Sequence, residues 1–118
     1  MDRAVGTPAS EVPAACVAPG DIHIADKKGL DSYLHTELEF LLSRVIKPRF
    51  VILTGINTDT CVYATTFTTA NLGYSPIVVA DCVASMRGKD SHVMALELMS
   101  RSIAWVLTLD EMLAHIKR

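Results

Sequence analysis

Three short, unbroken apolar runs recur along the chain, each followed by a helix-length segment. They are Phe50-Val51-Ile52-Leu53, Pro76-Ile77-Val78-Val79-Ala80 and Ile103-Ala104-Trp105-Val106-Leu107. Runs of four or five apolar residues without polar alternation suit strands buried on both faces, as a parallel sheet flanked by helices requires. The first is followed by a helix that carries Cys61 just inside its start and runs to about Leu72, with Gly73 placed as its C-terminal cap. The second leads through a polar loop to a helix from about Ser91 to Ser102, with Val93, Leu96 and Met99 available for packing. After the third, Thr108-Leu109-Asp110-Glu111 has the capping-box pattern and opens a last helix. This alternation predicts an α/β fold: a three-layer, Rossmann-like parallel sheet with right-handed crossovers and helices on both faces.

The region upstream is less regular. Residues 1–20 are rich in Pro, Ala and Gly and read as an extended N-terminal arm, with the folded unit spanning 21–118. Ile22-His23-Ile24 alternates apolar and polar and suits a short strand before the Asp26-Lys27-Lys28-Gly29 turn. Thr36-Glu37-Leu38-Glu39 is a second capping box, and its helix aligns Leu38, Leu41, Leu42 and Val45 until Pro48.

Composition removes several function classes. A net charge of -2 on 118 residues, with no basic stripe, gives no reason to expect nucleic acid. No apolar stretch is long enough for a membrane span, and the N-terminus lacks the compact apolar block of a signal peptide. Cys16, Cys61 and Cys82 are an odd, widely spaced set without a CxxC, which argues for a reducing, cytoplasmic setting over a disulfide framework. His23, His35, His92 and His115 never fall in a metal-ligand spacing, so no metal or other cofactor is expected.

The segment Gly55 to Phe67, GINTDTCVYATTF, sets a cysteine just after a strand and a Gly-containing polar turn. The carboxyl end of a parallel strand is where such sheets present chemistry, and the first turn of a helix favours a thiolate. Backbone N–H groups of Asn57, Thr58 and Cys61 lie in the same turn and are candidates to cradle an oxyanion. A small buried core cysteine is the competing reading, and local spacing does not choose between them.

A second segment does bear on the choice. TGINTDTCVYATTFTTANLGYSPIVVADCVAS resembles the nucleophile segment of the isochorismatase-like cysteine hydrolases, with Thr54, Gly55, Ile56, Thr58, Cys61, Val62, Thr65, Ala70, Gly73, Tyr74, Asp81 and Ala84 in register. PGDIHIADKKGLDSYLHTEL is similar to the family's lysine-bearing segment, with Lys27 at the position of its lysine and Tyr33 replacing the usual phenylalanine. The resemblance implies Cys61 as the nucleophile and Lys27 as the group that stabilises the thiolate and guides the proton. Tyr33 then either lines the substrate pocket or packs.

It further implies a non-proline cis peptide at Ile56–Asn57, a small-molecule amide-like substrate and a homo-oligomer. The expected reaction is hydrolysis of a C–N bond in a small amide, ureido or carbamoyl compound through a thioester-type intermediate. One departure stands out: the family's aspartate, which ends its first strand, has no counterpart here. The chain is therefore expected to be an N-terminally truncated member lacking the family's first strands, with an exposed edge on the Phe50–Thr54 strand. The alternative function is a non-catalytic interaction or oligomerisation module.

Overall fold

The structure is a computed structural model that describes residues 12–116. Strand β1 spans Phe50–Ile56, β2 Ser75–Ala84 and β3 Trp105–Leu107, forming one parallel sheet in the order β1-β2-β3. Helix α1 is a short turn, Leu38–Phe40, that continues as a π-helical stretch, Leu41–Ile46. Helices α2, Cys61–Asn71, α3, Lys89–Ser102, and α4, Leu109–Ile116, each follow a strand.

The two faces of the sheet separate with the period of two that strands impose. Val51, Leu53, Val78 and Val106 turn to one side, where they pack with Val62 of α2 and with Ala95 and Met99 of α3. Phe50, Ile52, Ile77, Trp105 and Leu107 turn to the other, where α4 contributes Met112. Helices thus lie on both faces, giving the three layers expected. Val78, Val79 and Met99 are fully buried. Replacing Met99 with alanine should lower the unfolding free energy by about 2–5 kcal/mol, through lost transfer energy and the cavity left. Urea denaturation should show a lower midpoint with an unchanged slope.

Local chemistry sets the helix boundaries. Before α4, Glu111 N–H donates to Thr108 Oγ1 (3.2 Å) and Thr108 N–H donates to Glu111 Oε1 (2.8 Å), the reciprocal capping box expected. The backbone hydrogen bond from Thr108 is the main reason the Glu111 carboxyl lies below its ordinary value. Leu109 N–H donates to Asp81 Oδ1 (2.8 Å), so the aspartate in the β2 segment tethers the start of the same helix. The upstream box does not form: Glu37 rather than Thr36 takes the cap position of α1, with no side-chain cap, while Thr36 Oγ1 accepts from Leu38 N–H (3.3 Å) and donates to the Ser32 carbonyl (2.5 Å). The helix then unwinds to the wider π turn, closing with Lys47 N–H on the Leu42 carbonyl five residues back (2.7 Å) and Lys47 in the left-handed region at φ 52°. Pro48 has no N–H to continue it.

Two expectations are corrected. Ile22–Ile24 is not a ladder strand, because β1 pairs only with β2 and no neighbouring strand is available to it among the described residues. Strand β1 is also not buried on both faces. Phe50, Ile52 and Ile56 are 56%, 43% and 60% exposed, since β1 forms a sheet edge and α4 lies over β2 and β3 rather than over it. The expected exposure of this edge is therefore present. Of the expected arm, residues 1–11 lie outside the described residues; Ala14–Cys16 form a single 3-10 turn. No helix among the described residues is long and apolar enough to cross a membrane.

Candidate active site

Cys61 is the first residue of α2, half-buried, and stands directly beyond the carboxyl end of β1. The connecting turn is drawn tight by its own backbone: Thr60 and Val62 N–H groups both donate to the Asn57 carbonyl, at 3.2 and 3.1 Å. The Ile56–Asn57 peptide bond is cis. Opposite the thiol lies Lys27, whose Nζ is 3.8 Å from Cys61 Sγ and donates to the Gly29 carbonyl at 2.5 Å. Two residues far apart in sequence thus meet as one pair. Lys28, by contrast, turns away and donates to the Asp26 carbonyl.

The loop that carries Lys27 has no strand to hold it, and α2 does that work with threonines. Thr65, Thr68 and Thr69 fall three and four residues apart, which aligns them on one helix face. Ser32 N–H donates to Thr65 Oγ1 (3.0 Å), and Thr65 Oγ1 donates to Ser32 Oγ (3.1 Å). Thr68 Oγ1 donates to the Asp31 carboxylate, whose other oxygen accepts from Tyr33 N–H (3.0 Å). Tyr33 OH and Thr69 Oγ1 are 2.7 Å apart. Burial pushes the Tyr33 phenol above its ordinary value, and the hydrogen bond with Thr69 partly offsets this.

A cavity of about 530 Å³ opens over the pair. Leu38, Leu42, Val51, Leu53 and Val62 supply apolar wall, while Lys27, Ser32 and Thr65 supply polar atoms. Tyr33 both packs and lines this cavity, being 8% exposed. No Asp or Glu is among the described residues that line it. Nor do any three His, Cys, Asp or Glu side chains converge as a metal site among the described residues.

One cradle donor needs correcting. Thr58 N–H already donates to the Ala84 carbonyl at 2.9 Å, in continuation of the β1–β2 ladder, and is not free for a substrate oxygen. The Asn57 and Cys61 N–H groups have no acceptor among the described residues, so they remain as the two available donors. The contribution of Thr58 comes instead through its buried side chain, whose Oγ1 lies 2.7 Å from His92 Nδ1. Sequence reading missed His92, Asp31 and the threonine face of α2. The 65/68/69 spacing was the one signal available for the last.

The fold and site define a class: an α/β protein with a cysteine and a lysine paired where a parallel strand gives way to a helix. Comparison makes the assignment specific. The model of the isochorismatase domain matches residues 5–111, and the chain belongs to the isochorismatase family. An isochorismatase-like hydrolase from Alkaliphilus metalliredigens superposes with a TM-score of 0.83 at 24% identity, over 93% of this chain and 60% of its own. An isochorismatase family protein from Desulfovibrio vulgaris superposes at 0.85 and 23% identity, over 96% of this chain and 58% of its own. The nicotinamidase of Staphylococcus aureus is more similar in sequence, at 36% identity with a TM-score of 0.65, over 70% of this chain and 50% of its own. The chain therefore spans half to three fifths of the length of these proteins.

Proposed function

We propose that the chain carries the nucleophile half of a cysteine hydrolase that cleaves the C–N bond of a small amide, ureido or carbamoyl compound. The observation that carries this reading is the 3.8 Å approach of Lys27 Nζ to Cys61 Sγ. Family membership and the likeness to a nicotinamidase support it. The thiolate is the form of a cysteine that attacks a carbonyl, and Lys27 is the cationic group within reach of the sulfur.

In the proposed reaction the Cys61 thiolate bonds to the carbonyl carbon, and the π electrons move onto oxygen. In this reading the oxyanion is held by the Asn57 and Cys61 N–H groups, which have no acceptor among the described residues and are donors of the kind that stabilise charge as it develops. Collapse breaks the C–N bond while Lys27 gives a proton to the departing nitrogen, leaving a thioester on Cys61. Water then adds to the thioester carbonyl, neutral Lys27 takes its proton, and the acid departs as the thiolate and ammonium are restored. The apolar walls and the cavity volume suit a small, uncharged amide. Tyr33, with its OH occupied by Thr69, shapes this wall and takes no part in proton transfer. The reaction is placed in the cytoplasm, where the three free thiols would stay reduced.

Ammonia release from a panel of aliphatic, aromatic and ureido amides by the purified chain tests the reading. Turnover of at least one neutral amide is expected, and a panel wholly at the blank rate would overturn it. A second reading is favoured by the edge of β1 that no strand covers and by the lack of a carboxylate at the cavity, both among the described residues: a non-catalytic module that assembles through that edge, as a homo-oligomer. It expects the blank result.

A further inference from the structure

We infer that His92 is a positioning residue for the oxyanion cradle, acting through Thr58; this deepens the hydrolase reading and rests on it. Asn57, Thr58 and Asp59, three residues of the turn between β1 and α2, are tied from outside it, but the ties differ in kind. Met86 N–H donates to Asn57 Oδ1 (2.9 Å) and Ser85 Oγ donates to Asp59 Oδ1 (2.7 Å), both from the loop after β2. Those partners are exposed or half-buried and sit in a connecting loop. Thr58 is held from a different element, α3, by the 2.7 Å contact of its Oγ1 with His92 Nδ1. Helix α3 is itself anchored in the core by Ala95 and Met99, so His92 projects from a rigid support.

The position of Thr58 makes this tie consequential. Its side chain is 0% exposed, so the hydroxyl has no access to water and depends on the imidazole for its partner. Its backbone nitrogen is fixed to Ala84, and its neighbour Asn57 bears one of the two free cradle donors. A cradle works only when its donors are held within fractions of an ångström of the developing oxyanion. Loss of the strut frees the turn to shift at Asn57, while Cys61 remains fixed as the first residue of α2 and keeps its lysine. Thiol reactivity and oxyanion binding should therefore come apart.

Benzaldehyde separates the two. The Cys61 sulfur adds to its carbonyl carbon, the carbonyl π bond opens, and the oxygen takes up the thiol proton, giving a hemithioacetal with no leaving group. On the hydrolase reading that oxygen takes the place of the oxyanion. Iodoacetamide, by contrast, alkylates the thiol by displacement of iodide and makes no oxyanion on the attacked carbon. Protection of Cys61 from iodoacetamide by benzaldehyde, read by peptide mapping against Cys16 and Cys82, gives aldehyde affinity and free-thiol reactivity from one experiment.

His92→Leu should weaken benzaldehyde binding about tenfold or more, a shift of the size expected from misplacing one cradle donor, with Cys61 alkylation alone within about twofold. His92→Asn, whose amide can occupy the place of Nδ1, should recover affinity to within about threefold. Thr58→Val, which removes the hydroxyl at constant shape, should reproduce the loss, and the double variant should be no weaker than either single one. Thr58→Val carries the test should His92→Leu fail to fold. Unchanged aldehyde affinity in both variants would overturn the proposal, as would equal loss of affinity and alkylation, the mark of general loosening. If the unaltered protein is alkylated at Cys61 but gains no protection from benzaldehyde, the hydrolase reading itself fails and the role of His92 falls with it.

Discussion

Replacing Cys61 with alanine should reduce hydrolysis of any amide the chain turns over by on the order of 10³-fold or more, to the blank rate. Among the described residues that line the cavity Cys61 is the one thiol. The hydroxyls beside it belong to Ser32 and Thr65, engaged with each other at 3.1 Å, to Tyr33, engaged with Thr69, and to Thr54, and hydroxyls attack a carbonyl far less readily than a thiolate. Stability should hardly change. Cys61 is half-buried at the first position of α2, and alanine is a good helix former that removes a single sulfur from a site open to the cavity. Thermal denaturation and ammonia release measured together separate the chemical effect from a folding effect. Cys82→Ala should retain activity, because Cys82 lies within β2 and is not among the cavity residues.

The second large effect belongs to Lys27. Lys27→Met keeps the length and most of the volume of the side chain but removes its charge and its protons. Hydrolysis should fall about 10²-fold or more, the range for losing a positioned proton donor. Alkylation of Cys61 by iodoacetamide at neutral pH should also slow, since the cationic group 3.8 Å from the sulfur is gone. Lys28→Met is the control: its Nζ faces the Asp26 carbonyl, and both readouts should stay within about twofold. Equal behaviour of the two variants would show that the pair at the site does not act.

How much of this was legible in the sequence depends on whether the cause was local. The three strands and the helices that follow them came from unbroken apolar runs and capping boxes, which are short-range signals. The reciprocal Thr108–Glu111 box formed as its four residues dictate. Thr36–Glu39 did not: the helix begins after Glu37, and Thr36 is instead drawn back by donating to the Ser32 carbonyl, a contact its own tetrapeptide does not encode. The Ile22–Ile24 segment alternates as a strand should, yet a strand requires a neighbour, and pairing is a tertiary property.

The same distinction governs the site. Cys61 and Lys27 were named from motif register, and the fold sets them side by side. What local spacing could not reveal was which N–H groups the fold had already used. Thr58 qualified by position in the turn and lost its N–H to Ala84, a residue on the neighbouring strand. His92 had no distinguishing sequence context and matters through one contact across the chain. The apolar run of β1 signalled burial on both faces; the edge position of the strand, which leaves Phe50 and Ile52 exposed, is set by sheet order.

Covalent capture bears most directly on the central claim, that Cys61 attacks the carbonyl carbon. The purified chain, incubated briefly with the best amide of the panel and quenched in acid, can be weighed intact and then mapped by peptide. A mass increase equal to the acyl group, located on Cys61 and lost with time as acid accumulates, is the expected result. Ammonia released with no acyl group on Cys61, and at the same rate from the Cys61→Ala protein, would contradict it.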